Sequence, residues 1–465
     1  MKKLIALSAL SLLFATSLLA KNQYKVYSFP SGYIVTAINS SGEVVGSLNN
    51  QPFVWTRSGG FQFLGNFGGG SSSFPNAIND SGEVAGASIL PSGVTHAFLW
   101  TASTGMIDLG SILGGQSFAS SINNNGQIAG ATSSPDGTVT HAFFWSQATG
   151  AIDLGTSSGF SLSQPSALNN NGEVTGVEWN QNQPTSLFTW TSSAGIQLLP
   201  TLGGPTNAAL SINDSGQIAG YTQSVAGYLY AYLWQADGTA LDLGDLPGDS
   251  QALAVWVNAA GHVVGRSLHF HSGYTENRIF FWTPDSGMID IGAVATPNTI
   301  ASTLNNRDQI VGNDHGNGAA GGAYLWSPTL GLVKIAGSGI EPLSAALNEA
   351  GQFLAVKGYA PTATYQLYTP VMQVGLGSSQ NPATLGQTVT FTANVSAIVG
   401  LPPDGEQVAF YDGSKLLGSA PLSSGIATFT TSTLSAGTHS ILASYVGDIN
   451  YEPNKSSRLK QLVNP

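Results

Sequence analysis

Residues 211–220 read SINDSGQIAG, and close variants of this phrase recur along the chain. They include INSSGEVVG (38–46), INDSGEVAG (78–86), INNNGQIAG (122–130) and LNNNGEVTG (168–176). All of them share an asparagine, a glycine three residues later and a second glycine four residues after the first. A phrase written this often indicates a repeated structural unit.

Two series of residues set the length of the repeat at about 45 residues. The first series consists of the asparagines that open the phrase, the anchor asparagines: Asn39, Asn79, Asn123, Asn169, Asn213, Asn258, Asn305 and Asn348. The second series closes strings such as AFLW with an aromatic residue: Trp55, Trp100, Trp145, Trp190, Trp234, Trp282, Trp326 and Tyr368. The two series agree on eight copies.

Each copy contains four short strand-like pieces, which in the third copy are SFASSIN, GQIAGAT, HAFFW and AIDLG. Four strands in a unit of about 45 residues predict one blade of a β-propeller. The piece at 24–29 aligns with AIDLG, and the eighth copy stops after 365–369 without such a piece. We therefore predict an all-β chain with an eight-bladed propeller over 21–370, closed by strand 24–29. Seven blades is the alternative.

The phrase itself predicts a tight turn followed by a crowded strand. An asparagine side chain can bond to nearby backbone amides, and glycine adopts the positive φ that such turns require. The copy at Asn305 has Asp308 in place of the first glycine. Aspartate tolerates the left-handed region better than most residues, so we expect this turn to persist.

The strings THAFLW, THAFFW, DLG and LGG resemble the HAF family of bacterial extracellular repeats. The resemblance covers about 24–370 and is clearest where His96 and His141 open the HAF triplet. It implies secretion and repetitive β structure, and it implies no defined reaction.

A second domain is predicted for 371–465, where longer, Thr-rich, alternating strands replace the repeat. About seven strands, with a hairpin at Asp412-Gly413, predict an Ig-like β-sandwich. The stretches VAFYDGSKLLG and LSAGTHSILASYVGDINY resemble bacterial Ig-like domains of surface proteins. That resemblance implies a spacer or adhesion module.

Composition restricts the function classes. Charged residues make up 8% of the chain, the formal net charge is −11 and cysteine is absent. Few scattered Lys and Arg argue against nucleic-acid or anionic-membrane partners. Residues 1–20 have a basic start, an apolar run and a small Ala20, which predicts a signal peptide and an extracellular or cell-surface location. No later stretch is apolar enough to predict a membrane span.

Polar residues that recur in the repeat are interpreted as structural. The anchor turns offer too few carboxylates for calcium. The aspartates of the IDLG and LDLG pieces recur in several copies, so the ring would hold them apart, and we expect a strand-edge role. His96 and His141 are replaced by other residue types in other copies, which argues against metal or catalytic roles. No cofactor is predicted, although Ca and Zn stay open as alternatives.

Residues that break the repeat concentrate in 242–282, which is either a ligand site or a polar variable loop on one blade. HFH (269–271) places two imidazoles on one side of a strand, which could begin a zinc or copper site. Asp245 and Asp249 belong to the same stretch, and Trp179 and Trp256 either stack on a sugar or pack between blades. The candidate binding residues are Trp179, Trp256, His262, Arg266, His269, His271, Glu276 and Arg278.

Motif searches find no GxSxG elbow, P-loop, HExxH or dinucleotide fingerprint in usable context, and we assign no catalytic residue. The sequence favours a secreted, non-enzymatic binding or adhesion protein that recognises a glycan or another envelope component through propeller loops. One alternative is a polysaccharide hydrolase or lyase that uses the 242–282 face. A second alternative is a structural matrix protein.

Overall fold

The computed structural model describes residues 23–68, 72–180, 183–271, 274–292, 299–314, 322–358 and 362–465. These residues form strands, turns and bends, without a helix among them. The predicted signal peptide, 1–20, lies outside the described residues. The chain divides into two compact units. The propeller unit comprises Ser28–Glu349 and Phe353–Gln366, and the sandwich unit comprises Met1–Tyr27, Ala350–Gln352 and Leu367–Pro465.

The strands up to Pro370 fall into groups of four along the chain. β1 (Tyr24–Ser28) precedes the first repeat and joins the eighth sheet. The first four repeats contain β2 (Tyr33–Ile38), β3 (Val44–Leu48), β4 (Gln51–Thr56), β5 (Gly60–Phe63), β6 (Ser73–Ile78), β7 (Val84–Ile89), β8 (Thr95–Thr101), β9 (Gly105–Gly110), β10 (Ser117–Ile122), β11 (Ile128–Ser133), β12 (Thr140–Ser146), β13 (Gly150–Gly155), β14 (Leu162–Leu168), β15 (Val174–Trp179), β16 (Ser186–Thr191) and β17 (Gly195–Leu199). The next four contain β18 (Gly203–Ile212), β19 (Ile218–Ser224), β20 (Leu229–Trp234), β21 (Ala240–Asp242), β22 (Gln251–Val257), β23 (Val263–His271), β24 (Tyr274–Thr283), β25 (Gly287–Asp290), β26 (Thr299–Leu304), β27 (Ile310–Asp314), β28 (Gly322–Ser327), β29 (Gly331–Ser338), β30 (Ile340–Leu347), β31 (Phe353–Lys357) and β32 (Thr364–Pro370).

Each group forms a four-stranded sheet in chain order, and the described residues hold eight such sheets. One parallel bridge, Thr140 to Leu162, links the third sheet to the fourth. The eighth sheet has the order β1-β32-β31-β30, so the N-terminal strand lies at its outer edge. The first strands of neighbouring sheets contact one another, and β2 of the first sheet contacts β30 of the eighth. The sheets therefore surround a common axis, and the predicted propeller fold is confirmed.

The anchor asparagines close this ring with hydrogen bonds. Each Nδ2 donates to the backbone carbonyl of the anchor asparagine in the next repeat, over 2.8–3.2 Å. The last of these bonds runs from Asn348 back to Asn39. In the first seven repeats, Oδ1 accepts the backbone N–H four residues on, which closes the predicted turn. The turn interpretation is confirmed, and the bond between sheets is an addition that the sequence did not reveal.

The two glycines of the phrase have different physical roles. The first lies in the turn with positive φ, as at Gly126 (69°). The second lies where strands touch: a Cβ on Gly130 would stand 2.2 Å from the Phe118 carbonyl oxygen and 2.6 Å from the Phe143 ring. The phenylalanine of the HAF triplet therefore packs on a surface that any side chain at position 130 would block.

The tryptophans of the second series pack one sheet against the previous one. Trp100 packs with Val45 and Val54 of the first sheet, and the Trp190 ring lies 5.1 Å from Phe144 of the third. Burial of these large aromatic side chains between sheets stabilises the propeller. Each large side chain contributes about 1.5–3 kcal/mol.

Residues 373–464 form two sheets, as predicted. One has the order β33-β35-β38, and the other has β34-β41-β39-β36-β37 with β40 beside β39. The strands are β33 (Gln373–Ser378), β34 (Ala383–Thr384), β35 (Val389–Ser396), β36 (Gln407–Asp412), β37 (Lys415–Pro421), β38 (Ile426–Thr431), β39 (Gly437–Tyr445), β40 (Asn454–Lys455) and β41 (Leu459–Asn464). Phe410 and Phe429 stack between the sheets at 5.6 Å. The predicted turn after Asp412 contains Gly413 at φ 61°.

The described residues contain no helix long and apolar enough to cross a membrane.

Candidate functional site

The sixth sheet carries a hairpin that departs from the repeat. Its second and third strands, β23 and β24, have nine and ten residues, whereas β11 and β12 of the third sheet have six and seven. Pairing extends to His269 opposite Glu276 and to His271 opposite Tyr274. Compared with the third sheet, the extension adds the pair His269 and Glu276 and the pairs that follow it up to the turn.

Beside this hairpin, the side chain of Asp249 is fully buried and contacts the side chains of Arg278 and His269. Arg278 donates from Nε to Oδ2 at 3.1 Å, and its Nη2 lies 2.6 Å from Oδ1. His269 Nδ1 lies 2.9 Å from the same Oδ1. We call Asp249, His269 and Arg278 the Asp249 cluster. A two-point Arg–carboxylate contact of this kind fixes both groups in orientation.

The cluster keeps Asp249 ionised. Burial alone would raise the pKa of Asp249, but hydrogen bonds from Arg278, Ser267 and His269 outweigh it, and the pKa is lowered. The same hydrogen bond to Asp249 raises the pKa of Arg278. Asp245 behaves oppositely: desolvation and the charges of Asp249 and Asp242 raise its pKa.

Arg278 also ties the cluster to its surroundings. Its Nη2 donates to the Pro247 carbonyl at 2.9 Å, and its Nη1 lies 3.4 Å from Asp290 Oδ2. With Arg278 24% exposed and His269 33% exposed, both side chains still reach solvent. The cluster therefore has a covered carboxylate, Asp249, and two partly accessible polar side chains, Arg278 and His269.

Two exposed aromatic side chains lie at this edge of the propeller unit. Phe270, beside His269 on β23, is 51% exposed, and Tyr228 in the hairpin of the fifth sheet is 47% exposed. The two hairpins approach each other because Leu229 N donates to Gln251 Oε1 at 3.1 Å, and Gln251 pairs with Leu268.

Other predicted residues lie apart from this cluster. Trp256 packs against the core between the sixth and seventh sheets, and its Nε1 donates to the Ser302 carbonyl at 3.0 Å. Trp179 is half-buried at the end of β15, paired with Leu162. Arg266 is half-buried on β23 between Leu253 and Ile279, and its Nε is buried without a hydrogen-bond partner. His271 ends β23, and its side chain lies outside the described part of the structure.

His262 belongs to the anchor turn of the sixth sheet. In most repeats this position is Glu or Gln, whose side chain accepts from the anchor Nδ2 and lies over the first glycine of the next turn, as Gln127 does over Gly172. His262 instead bonds Asp308 Oδ1 at 2.8 Å, and that oxygen also accepts from Asn258 Nδ2. His262, in place of Glu or Gln, and Asp308, in place of the first glycine, thus compensate for each other.

The His–Asp pairing is present in other sheets as well. His96 Nδ1 lies 2.9 Å from Asp108, and His141 Nδ1 lies 3.0 Å from Asp153. We did not predict these pairs from the sequence. In each pair the two residues are twelve positions apart, as Arg278 and Asp290 are, and this constant spacing could have revealed them. The aspartates also accept the N–H of the glycine two residues on, as Gly110 N does to Asp108. Asp108 and Asp153 therefore have a structural role at the strand edge, as predicted.

A second concave site lies on the axis, at the anchor turns, and the sequence analysis did not identify it. We call it the axial cavity; its volume is about 380 Å³. Its rim consists of six of the anchor asparagines and of the residues that follow the eight anchors: Ser40, Asp80, Asn124, Asn170, Asp214, Ala259, Asn306 and Glu349. Its floor consists of the apolar residues that precede the anchors: Ile38, Ile78, Ile122, Leu168, Ile212, Val257 and Leu347.

Within the described residues, no group of three or more His, Asp or Glu side chains has the arrangement of a metal site. The zinc or copper site considered for 269–271 therefore gains no third ligand from this part of the chain. His269 is held by Asp249 and Glu276 pairs opposite it across the hairpin.

Comparisons with known proteins bear on the fold. Residues 376–464 match the family described as bacterial Ig-like domain (group 3). No curated protein matches the chain. Similar solved structures include a eukaryotic initiation factor (11% identity, 89% of this chain and 93% of that one, TM-score 0.47), the Dos1 propeller (11%, 76% and 96%, 0.48) and streptogramin B lyase (12%, 76% and 99%, 0.38). These TM-scores are below 0.5, so the similarities carry no argument about activity.

Proposed function

We propose that this protein is an exported, non-catalytic binding protein that recognises an extracellular glycan through the Asp249 cluster and Phe270. The observation that carries the proposal is the Asp249 cluster itself, a fixed set of charged groups at the place where the repeat breaks. Repeated residues build the ring, whereas a site on one sheet needs residues that the other sheets lack. The Ig-like domain at 376–464 would act as a spacer.

The chemistry of the cluster suits sugar hydroxyls. Arg278 and His269 offer hydrogen-bond donors whose positions Asp249 fixes before any ligand arrives, which lowers the entropic cost of binding. Phe270 follows His269 on β23, so its half-exposed ring faces the opposite side of the hairpin, where it can cover the apolar face of a sugar that extends over the hairpin tip. Binding sites commonly combine such an aromatic surface with a few oriented polar groups.

The Asp249 carboxylate is poorly suited to proton transfer. Its two oxygens are held by Arg278 and His269, and its pKa is lowered. A general acid needs the opposite shift. This supports binding over hydrolysis at Asp249.

One observation favours the hydrolase as a second candidate. The pKa of the exposed Asp245 is raised by desolvation and by the charge of Asp249, while that of Asp249 is lowered. Two carboxylates with opposite shifts form the pattern of an acid and its ionised partner in glycosidases. The hydrolase candidate predicts that Asp245→Asn abolishes release of reducing ends from a bound polysaccharide.

A glycan microarray tests the binding proposal. The mature chain should bind a defined subset of glycans, and Phe270→Ala and Arg278→Lys should each weaken the signal at least tenfold, because the first removes the apolar surface and the second removes the two-point contact. Phe63→Ala is the matched control, since Phe63 is 47% exposed on the first sheet. Absence of glycan binding, or equal losses in the control, would refute the proposal.

A further inference from the structure

We propose that the axial cavity is a second binding site, specific for a small organic cation with an apolar body, such as an alkylammonium group. This inference goes beyond the glycan-binding proposal and is independent of it. Asp249 precedes β22 and the anchor Asn258 follows it, so the two sites lie at opposite ends of the same strand. Either site can therefore fail without affecting the other.

The cavity has two chemical layers. Its floor is a ring of aliphatic side chains, and among them Ile78 and Val257 are buried. Its rim presents amides and carboxylates to solvent. A ligand that fills such a site needs an apolar part for the floor and a polar or charged part for the rim.

The charge of the rim is negative. Asp80, Asp214 and Glu349 contribute carboxylates, and the residues that line the cavity include no Lys, Arg or His. Arg307 is the cation that acts on Glu349 from outside the lining. A cation at the axis would be attracted by three carboxylates from three different sheets.

These carboxylates are held in fixed orientations. Asp80 Oδ1 accepts Ser40 N at 2.9 Å and its Oδ2 accepts Asn124 Nδ2 at 2.8 Å. Asp214 receives both N and Nδ2 of Asn170, at 2.8 and 2.9 Å. Carboxylates fixed in this way need little reorganisation when a cation binds.

For Glu349, one of the three carboxylates, the neighbouring groups only partly offset the cost of burying its negative charge. Desolvation raises the pKa of Glu349, although the Asn306 amide and Arg307 lower it in part. A cationic ligand would stabilise the ionised form of this carboxylate. A metal ion fits less well, because the described residues provide no cluster of three ligating side chains.

Ala259 interrupts a second ring of hydrogen bonds, which runs along the rim. At six positions of the rim, a backbone N–H donates to the side chain that follows the next anchor, as Asp80 N does to Asn124 Oδ1 at 3.0 Å. Ala259 has no side-chain acceptor for Asp214 N, so the ring of hydrogen bonds has a gap there. A ring kept purely for stability would carry Asn or Asp here, as the second to fifth repeats do.

A ligand-observed NMR titration with n-butylammonium chloride tests the proposal on the full mature chain. We expect saturable binding, weakened by added salt, and at least about tenfold weaker binding of n-butanol, which lacks the charge. Asp214→Asn should weaken n-butylammonium binding about fivefold, an effect of about 1 kcal/mol. Ala259→Asn, which fills the gap with a residue found there in other repeats, should weaken it at least tenfold.

Asp136→Asn is the matched control, because Asp136 lies in an exposed turn outside the lining. Its affinity for n-butylammonium should equal that of the parent. Equal binding of n-butanol, unchanged affinity in both rim variants, or no saturable binding would each overturn the proposal. If one rim variant does not fold, the other still decides the outcome.

Discussion

At the residue scale, the anchor asparagines use every hydrogen-bonding group of the side chain. In Asn123, Oδ1 accepts the N–H groups of Asn125 and Gln127. Its Nδ2 donates to the Asn169 carbonyl at 2.8 Å and to Gln127 Oε1 at 2.6 Å. Aspartate has the same shape but no donor, so the common exchange of Asn for Asp in turns is not tolerated here.

Asn123→Asp should therefore lower the free energy of unfolding by about 2 kcal/mol or more, because a buried acceptor, the Asn169 carbonyl, and a half-buried one, Gln127 Oε1, lose their donor. Tryptophan fluorescence in urea reports the propeller unit, since all nine tryptophans precede residue 371. Asn125→Asp is the control: Asn125 is exposed on the same turn, and its substitution should cost less than about 1 kcal/mol. Equal effects of the two substitutions would contradict the ring of asparagine bonds.

His262 and Asp308 should behave as one unit. Asp308→Gly alone removes acceptors from His262 and Asn258, and His262→Gln alone places a longer side chain against Asp308. The double variant restores the pattern of the other repeats. In a double-mutant cycle, we expect a coupling of about 1 kcal/mol, with the double variant more stable than the sum of the singles predicts. Strict additivity would show that the two departures are independent.

At the element scale, the second strand of each sheet is limited by its contact with the first. Gly130→Ala would press a Cβ against the Phe118 carbonyl and the Phe143 ring, so we expect a loss of about 2–3 kcal/mol in unfolding free energy. Gly337→Ala is the control, because a Cβ at Gly337 meets nothing within 4 Å and its φ is not positive. A tolerated Gly130→Ala would contradict the close approach of the strands.

In the sandwich unit, strand β39 carries a pH-sensitive pair. Burial alone would lower the pKa of His439, but the Ser435 carbonyl and the Asp412 carboxylate raise it. A raised pKa stabilises the fold below about pH 6.5, and this contribution is lost as pH rises through the folded pKa. NMR titration should give His439 a pKa above the usual histidine value, and Asp412→Asn should lower it. An unchanged pKa in the variant would contradict the pairing.

At the scale of the whole molecule, the sequence predicted the architecture because the repeat is dense in signals. Asparagine and glycine specify turns, aromatic residues specify the buried strands, and their spacing specifies a four-stranded unit. The sequence did not predict the Asp249 cluster in the same way. Asp249 and His269 are twenty residues apart, and only the long hairpin of the sixth sheet brings them together. The axial cavity was missed because turns that look alike along the chain become a single surface only when the ring closes.

The central functional claim is that the Asp249 cluster binds a glycan without cleaving it. The most direct test is calorimetric titration of the mature chain with a glycan selected from the array, followed by reducing-end analysis of the same sample. We expect saturable binding of the glycan that Arg278→Lys weakens at least tenfold, with no release of reducing ends. Release of reducing ends that Asp245→Asn abolishes, or binding that Arg278→Lys leaves unchanged, would contradict this claim.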